Sequence, residues 1–355
     1  MAKQRPNFGV RLPVAGPLAT REGMVRSAKE ADRLNFDVAW VHDYLCWNKL
    51  LDSVHISCGS KKSFLDGVNG DSYTPVFMES ITNLAFLAGV TEKIRLGIAV
   101  LILPYREVIG TAKQIACIDV LSNGRVDLGI GQGAAKTTMN TENEVMSISR
   151  ATKIRHTREV FEGMREVWTT AESTYHGRFV NFTGAEVFPK PVQKPYPPIW
   201  IGGSGEKSLE MIADYADAWL SWGVSPENFP PAIADISERL VERGRDPDSF
   251  VAGTEIQIYL ANTMEKARAE VLPTMRAFEE GYAGVTGTKY AADPDVLQTM
   301  WKSSLIGTPE SVTEEIANYL EKGCTAFELK FIYDDINHMS DQWNMFAEKV
   351  MPNFR

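Results

Sequence analysis

One feature constrains this chain more than any other: short apolar runs alternate with helical patterns along nearly its whole length. Strand-like runs fall at residues 7–12, 37–43, 94–101, 125–130, 198–201, 218–221, 251–260 and 326–331. Helical periodicity separates them, as at 22–34, where Met24, Ala28, Ala31 and Leu34 share one face. Further helices are read at 76–90, 107–121, 150–170, 206–215, 232–243, from about 264, at 308–322 and from about 338. The helix at 308 has a clear start, with Thr308 as cap, Pro309 in the first turn and Glu310 favouring the helix dipole. Strands that read apolar on both faces and alternate with helices belong to parallel sheets. An open doubly wound sheet and a closed barrel both satisfy that rule. Eight units with no internal linker favour the barrel, so the expected fold is α/β, a (β/α)₈ TIM barrel in one domain spanning 1–355. The 355 residues exceed the roughly 250 that such a barrel needs.

The surplus lies in three insertions. Residues 45–74, after strand two, are rich in Ser, Gly, Asp and Asn. Residues 174–197, before strand five, contain a hairpin pattern, TYHGRFVNF. Residues 280–306 precede the last helix–strand unit. Loops after barrel strands sit at the catalytic face, so the first insertion is expected to act as a lid or a subunit contact.

The formal net charge of −9 argues against nucleic acid, which needs a basic surface. The N-terminal MAKQRPNFGVRLPV has no long apolar run, so neither a signal peptide nor a membrane span is read. Four cysteines without C-x-x-C spacing point to a reduced, cytoplasmic compartment, with Cys117 packed in a core. Five scattered histidines, with no H-E-x-x-H, make a metal site an unfavoured reading.

Three stretches carry candidate chemistry. His42-Asp43-Tyr44 ends strand two, where barrel catalysis sits; alternation turns His42 and Tyr44 to one side and Asp43 to the other. His42 is a candidate general base, and a core histidine with satisfied hydrogen bonds is the alternative. Residues 129–134, GIGQGA, read as a glycine-lined loop at a barrel mouth. They also fit G-x-G-x-x-A, but no acidic residue follows at the spacing a dinucleotide fold needs. In Gly202-Gly203-Ser204-Gly205 a strand runs into a helix, which makes an anion site with Ser204 as cap; a simple tight turn is the alternative. Glu206 rules out a nucleophile elbow, and no P-loop occurs. Trp40, Trp47, Trp200, Trp219 and Trp222 either line an apolar pocket or pack between barrel and helices.

Together these stretches resemble the luciferase-like family of flavin- and deazaflavin-dependent oxidoreductases. The likeness is carried by KIRLGIAVLILPYREVIGTAKQIACIDVLSNGRVDLGIGQG, by YHGRFVNF…FPKPVQKPYPPIWIGGSGEKSLEMIADYADAWL and by LIGTPESVTEEIANYLEKGCTAFEL. It implies a (β/α)₈ barrel, a non-prolyl cis peptide at Ala99–Val100 against the cofactor ring, and cofactor contacts from Gln132 and Gly133. It also implies phosphate binding by Gly202, Gly203, Ser204 and Gly205, and catalytic roles for His42, Asp43 and Tyr44. FMN or coenzyme F420 is the implied cofactor. With FMN the chain is an FMNH₂-dependent monooxygenase of a small organic substrate, fed by a separate flavin reductase; with F420 it is a hydride-transfer reductase or dehydrogenase. Family members are commonly homodimers. Tyr44 stands where the family usually has His, Gln132 where luciferase relatives have Arg, and Ala134 where many F420 enzymes have an acidic or aromatic residue. These departures leave the cofactor open and admit a third reading, a barrel that has lost its cofactor.

Overall fold

A computed structural model describes residues 5–46, 76–133, 140–149, 151–286 and 301–355. Its centre is a closed ring of parallel strands. In spatial order these are β1 (Asn7–Arg11), β2 (Val38–Val41), β3 (Arg95–Ile102), β4 (Val126–Gly131), β7 (Ile199–Gly202), β8 (Ala218–Trp222), β9 (Val251–Leu260) and β11 (Ala326–Phe331). β11 pairs with both β9 and β1, and β8 pairs with β9, which closes the barrel. The expected (β/α)₈ fold is therefore present, with all eight sequence-read strands in place.

Two small elements complete the sheets. The hairpin read at 174–182 is β5 (Ser173–His176) paired antiparallel with β6 (Asn181–Ala185). A ninth parallel strand, β10 (Ser304–Gly307), pairs with the end of β9. The sequence reading missed it. It treated 280–306 as one loop, whereas helix Met264–Thr286 reaches into that stretch and β10 closes it. Residues 287–300 lie outside the described residues, as do 47–75 and the lid expected there.

Local chemistry explains the helix starts. Thr20 caps helix Arg21–Arg33, and Glu107 accepts from the N–H groups of Ile109 and Gly110 at the start of Val108–Leu121. Thr308 caps Pro309–Glu321 in a reciprocal box with Ser311. Helix Lys153–Thr169 begins later than the sequence suggested, and Asn140–Val145 forms a separate short helix before it.

The strands bury both faces. Outward residues such as Phe8, Leu329 and Phe327 meet the helices, where Phe8 packs edge-on against Phe346 at 5.3 Å. Inside the barrel, Trp40 and Trp200 meet at 5.3 Å between ring centres. Glycines make room for them: a Cβ at Gly97 would lie 2.1 Å from the Trp40 ring, and one at Gly9 2.3 Å from its Nε1. Trp219 instead packs outward on Phe229, and Trp222 is exposed. Trp47 lies outside the described residues. Cys117 is only half-buried, not a core residue. No described helix is long and apolar enough to cross a membrane.

Candidate active site

Barrel strands present their C-terminal ends on one side, and the inward side chains there form the site. Below it, the Trp40–Trp200 pair fills the barrel and gives the mouth an apolar floor.

On one half of the rim the inward residues are ionisable. His42 Nε2 lies 3.1 Å from Glu328 Oε1. The same oxygen accepts from Arg11 Nε at 3.0 Å and Nη2 at 2.9 Å. Arg11 Nη2 also pairs with Glu255 at 2.8 Å, and Lys330 Nζ lies 4.0 Å from Glu255. The chain Glu255–Arg11–Glu328–His42 thus crosses four strands, from β9 through β1 and β11 to the end of β2. Glu328 is almost fully buried, and its Oε2 has no hydrogen-bond partner among the described residues. Burial pushes its carboxyl above the usual range, while Arg11 and then Lys330 pull it down.

Sequence reasoning found His42 but missed Arg11, Glu255, Glu328 and Lys330. A signal was present. In FELKF, Glu328 and Lys330 alternate with Phe327, Leu329 and Phe331, so two charged side chains face a barrel interior.

Asp43 turns the other way, as alternation requires. Its Oδ1 accepts from Ser80 Oγ at 2.8 Å and Arg106 Nη2 at 2.5 Å, and its Oδ2 from the Ile102 amide at 2.9 Å. Arg106 is held in turn by Glu79 at 2.8 Å. This carboxylate ties the ends of β2 and β3 to helix Ser80–Ala88. Both of its oxygens are engaged there, which separates it from the group around His42. Tyr44 stacks edge-on against Phe77 at 5.2 Å.

The opposite half of the rim is apolar and rich in glycine. The register of β3 against β4 shifts between Ile98 and Leu101, and the Ala99–Val100 peptide is cis, as the resemblance implied. Val100 lies over the inner face of β4: a Cβ at Gly131 would sit 2.5 Å from its Cγ2, and one at Gly129 3.1 Å from its Cγ1. Just beyond, the buried Gln132 Oε1 has no partner among the described residues. Gly133 has φ +74°, and its carbonyl accepts from Lys153 Nζ at 3.2 Å. Nearby, Glu142 accepts from the amides of Leu45 and Cys46 at 2.5 and 2.8 Å, joining the start of the first insertion to the loop after β4. Ala134 lies outside the described residues.

At the end of β7, Gly203 has φ +100° and its carbonyl accepts from the Trp219 indole at 3.0 Å. Gly203, Ser204 and Gly205 are exposed, and nothing lies within 4 Å of a Cβ built on Gly205. The expected cap is corrected here. Gly205, not Ser204, is the N-cap of helix Glu206–Tyr215, and no side chain caps it. An uncapped helix N-terminus behind three exposed residues suits a phosphate. Glu206 does not compete for it, since Arg239 binds both of its oxygens at 2.8 and 2.9 Å.

These residues fit a flavin-type cofactor. A ring needs a flat apolar wall, which Val100 over glycine supplies. Gln132 offers an acceptor that lacks a partner, and the glycine turn offers space and N–H groups for a phosphate. Among the described residues no three His, Cys, Asp or Glu side chains converge as a metal site would require.

Residues 8–326 match the family model described as luciferase-like monooxygenase. An FMNH₂-dependent dimethylsulfone monooxygenase of Pseudomonas putida is 25% identical over 295 residues, 78% of each chain. Among solved structures, the monooxygenase RslO1 of Streptomyces bottropensis superposes with a TM-score of 0.77 at 19% identity, covering 98% of this chain and 100% of that one. An F420-dependent secondary alcohol dehydrogenase, solved with an F420–acetone adduct, superposes at 0.74 and 19%, covering 99% and 100%.

Proposed function

This chain belongs to the luciferase-like monooxygenase family and is a flavin- or F420-dependent oxidoreductase; we propose that it uses reduced FMN to oxygenate a small organic substrate at the barrel mouth. The observation that carries this reading is the apolar wall made by Val100 over Gly129 and Gly131, beside a Gln132 Oε1 that has no partner among the described residues. The FMNH₂-dependent relative, which matches 78% of the chain, supports it. The intact glycine turns argue against the reading of a barrel that has lost its cofactor.

When bound, reduced FMN supplies the electrons for oxygen activation, and a separate reductase would deliver it in that state. The chain's own residues do the rest. Gly202, Gly203 and Gly205 admit the phosphate to the N-terminus of helix Glu206–Tyr215. Val100 and Gln132 orient the ring. Trp40 and Trp200 keep water from entering through the barrel below. His42 holds or accepts a proton at the rim.

One observation favours a second reading, hydride transfer with coenzyme F420. His42, backed by Glu328 and Arg11, is the proton carrier that interconversion of a carbonyl and an alcohol requires. Titration with reduced FMN and with F420 under anaerobic conditions, followed by tryptophan fluorescence, separates the two. Tight F420 binding with no FMN binding overturns the oxygenase reading.

A further inference from the structure

The ionisable half of the rim holds an arrangement that says more about His42. Three donors converge on a single oxygen: Arg11 Nε, Arg11 Nη2 and His42 Nε2 all lie within 3.1 Å of Glu328 Oε1. An oxygen that already receives two guanidinium N–H groups is an acceptor. His42 Nε2 must therefore meet it as N–H, since a lone pair there would face another lone pair. Neutral imidazole carries one proton, so the lone pair falls on Nδ1.

We propose that Glu328 is a positioning residue, which locks His42 in the Nε2–H tautomer and so makes Nδ1 its proton-accepting nitrogen. This inference rests on the reading of His42 as the proton carrier. The rest of the network serves the lock. Glu255 on β9 holds Arg11 from behind at 2.8 Å, and Lys330 on β11 lies 4.0 Å from Glu255. Among the described residues, Arg11 and Lys330 balance Glu255 and Glu328 in formal charge. The lock also survives a change of protonation on Glu328. A proton taken up there goes to Oε2, which has no partner among the described residues, and Oε1 remains the acceptor.

The test reads the ring directly. In ¹⁵N-histidine-labelled protein, the His42 resonances are assigned by their loss in His42→Gln. Above the ring's titration midpoint, wild type should show Nε2 protonated and Nδ1 bare. Glu328→Met removes the acceptor and should bring in the Nδ1–H form. It should also lower turnover by about 10-fold, part of the 100-fold or more that acid–base catalysis contributes. Glu328→Gln keeps an acceptor oxygen and should restore the wild-type tautomer. A wild-type Nδ1–H tautomer overturns the proposal even if neither variant folds, and so does a Glu328→Met ring that stays wholly Nε2–H. Failure of the underlying reading looks different: His42→Gln would then turn over at the wild-type rate whatever the tautomer.

Discussion

The two ends of the barrel each hold an ion pair on a buried carboxylate, with half-buried Arg95 as the partner at one end and buried Arg11 at the other, and the two are built differently. At the N-terminal end, Arg95 grips both oxygens of Asp127, at 2.6 and 3.2 Å, and also donates to the Val126 carbonyl and to Gln193. Trp200 donates its indole N–H to the same carboxylate at 3.2 Å. Every oxygen of Asp127 has a partner. At the mouth, three donors crowd Glu328 Oε1 while buried Oε2 has none among the described residues. A fully satisfied buried pair stabilises a plug, whereas a half-satisfied one costs stability and marks a working site. On the proposed function, the bottom stays shut and the top exchanges protons.

The largest expected effect breaks the bottom. Asp127→Ala leaves Arg95 and the Trp200 N–H without their carboxylate and should cost about 3 kcal/mol of stability in denaturant unfolding, with cofactor affinity unchanged. A loss near zero would erase the contrast between the two ends. Next comes His42→Ala. It should leave stability almost intact but lower turnover about 100-fold, roughly 2.7 kcal/mol on the barrier, with cofactor affinity little changed. Unaltered steady-state kinetics would make the mouth cluster structural too.

A smaller effect is expected at the glycine turn. Gly203→Val forces a side chain onto φ +100° and against Ser208 Oγ, 2.9 Å from a built Cβ. Cofactor affinity, measured by titration, should fall about 10-fold, or 1.4 kcal/mol. Unchanged affinity would move the phosphate elsewhere on the rim.

The smallest effect is a pH dependence. Burial raises the folded Glu328 carboxyl above its ordinary 4.5, so the fold favours its protonated form. That contribution is complete below 4.5 and is lost as pH rises through the folded value. The stability of wild type relative to Glu328→Gln should therefore fall as pH climbs above 4.5. A rise with pH would mean that Arg11 outweighs burial.

Much of this was legible in the sequence because it is local. Alternation along β2 set His42 and Asp43 on opposite sides, and the structure confirms it through partners as different as Glu328 and Ser80. The hairpin after residue 173 also lies within a short stretch, whereas the cis peptide at Ala99–Val100 came from the family resemblance alone. The N-cap did not follow, because helix Glu206–Tyr215 starts one residue later than Ser204 would need. β10 was hidden within a stretch read as one loop, directly before the cap at Thr308.

By itself the sequence determined the strand–helix alternation, the faces on which each side chain falls, and the glycines that leave room at the rim. Those depend on neighbours two to four residues away. Only the tertiary structure decided which inward charges meet. Arg11 and Glu328 are 317 residues apart, and His42 and Glu328 286. They become neighbours because β11 closes the ring against β1, in a register that sets Gly9 beside Glu328 and Glu328 beside Glu255. A one-residue slip there would turn Glu328 out of the barrel, since strand side chains alternate with period two, and His42 would lose its partner.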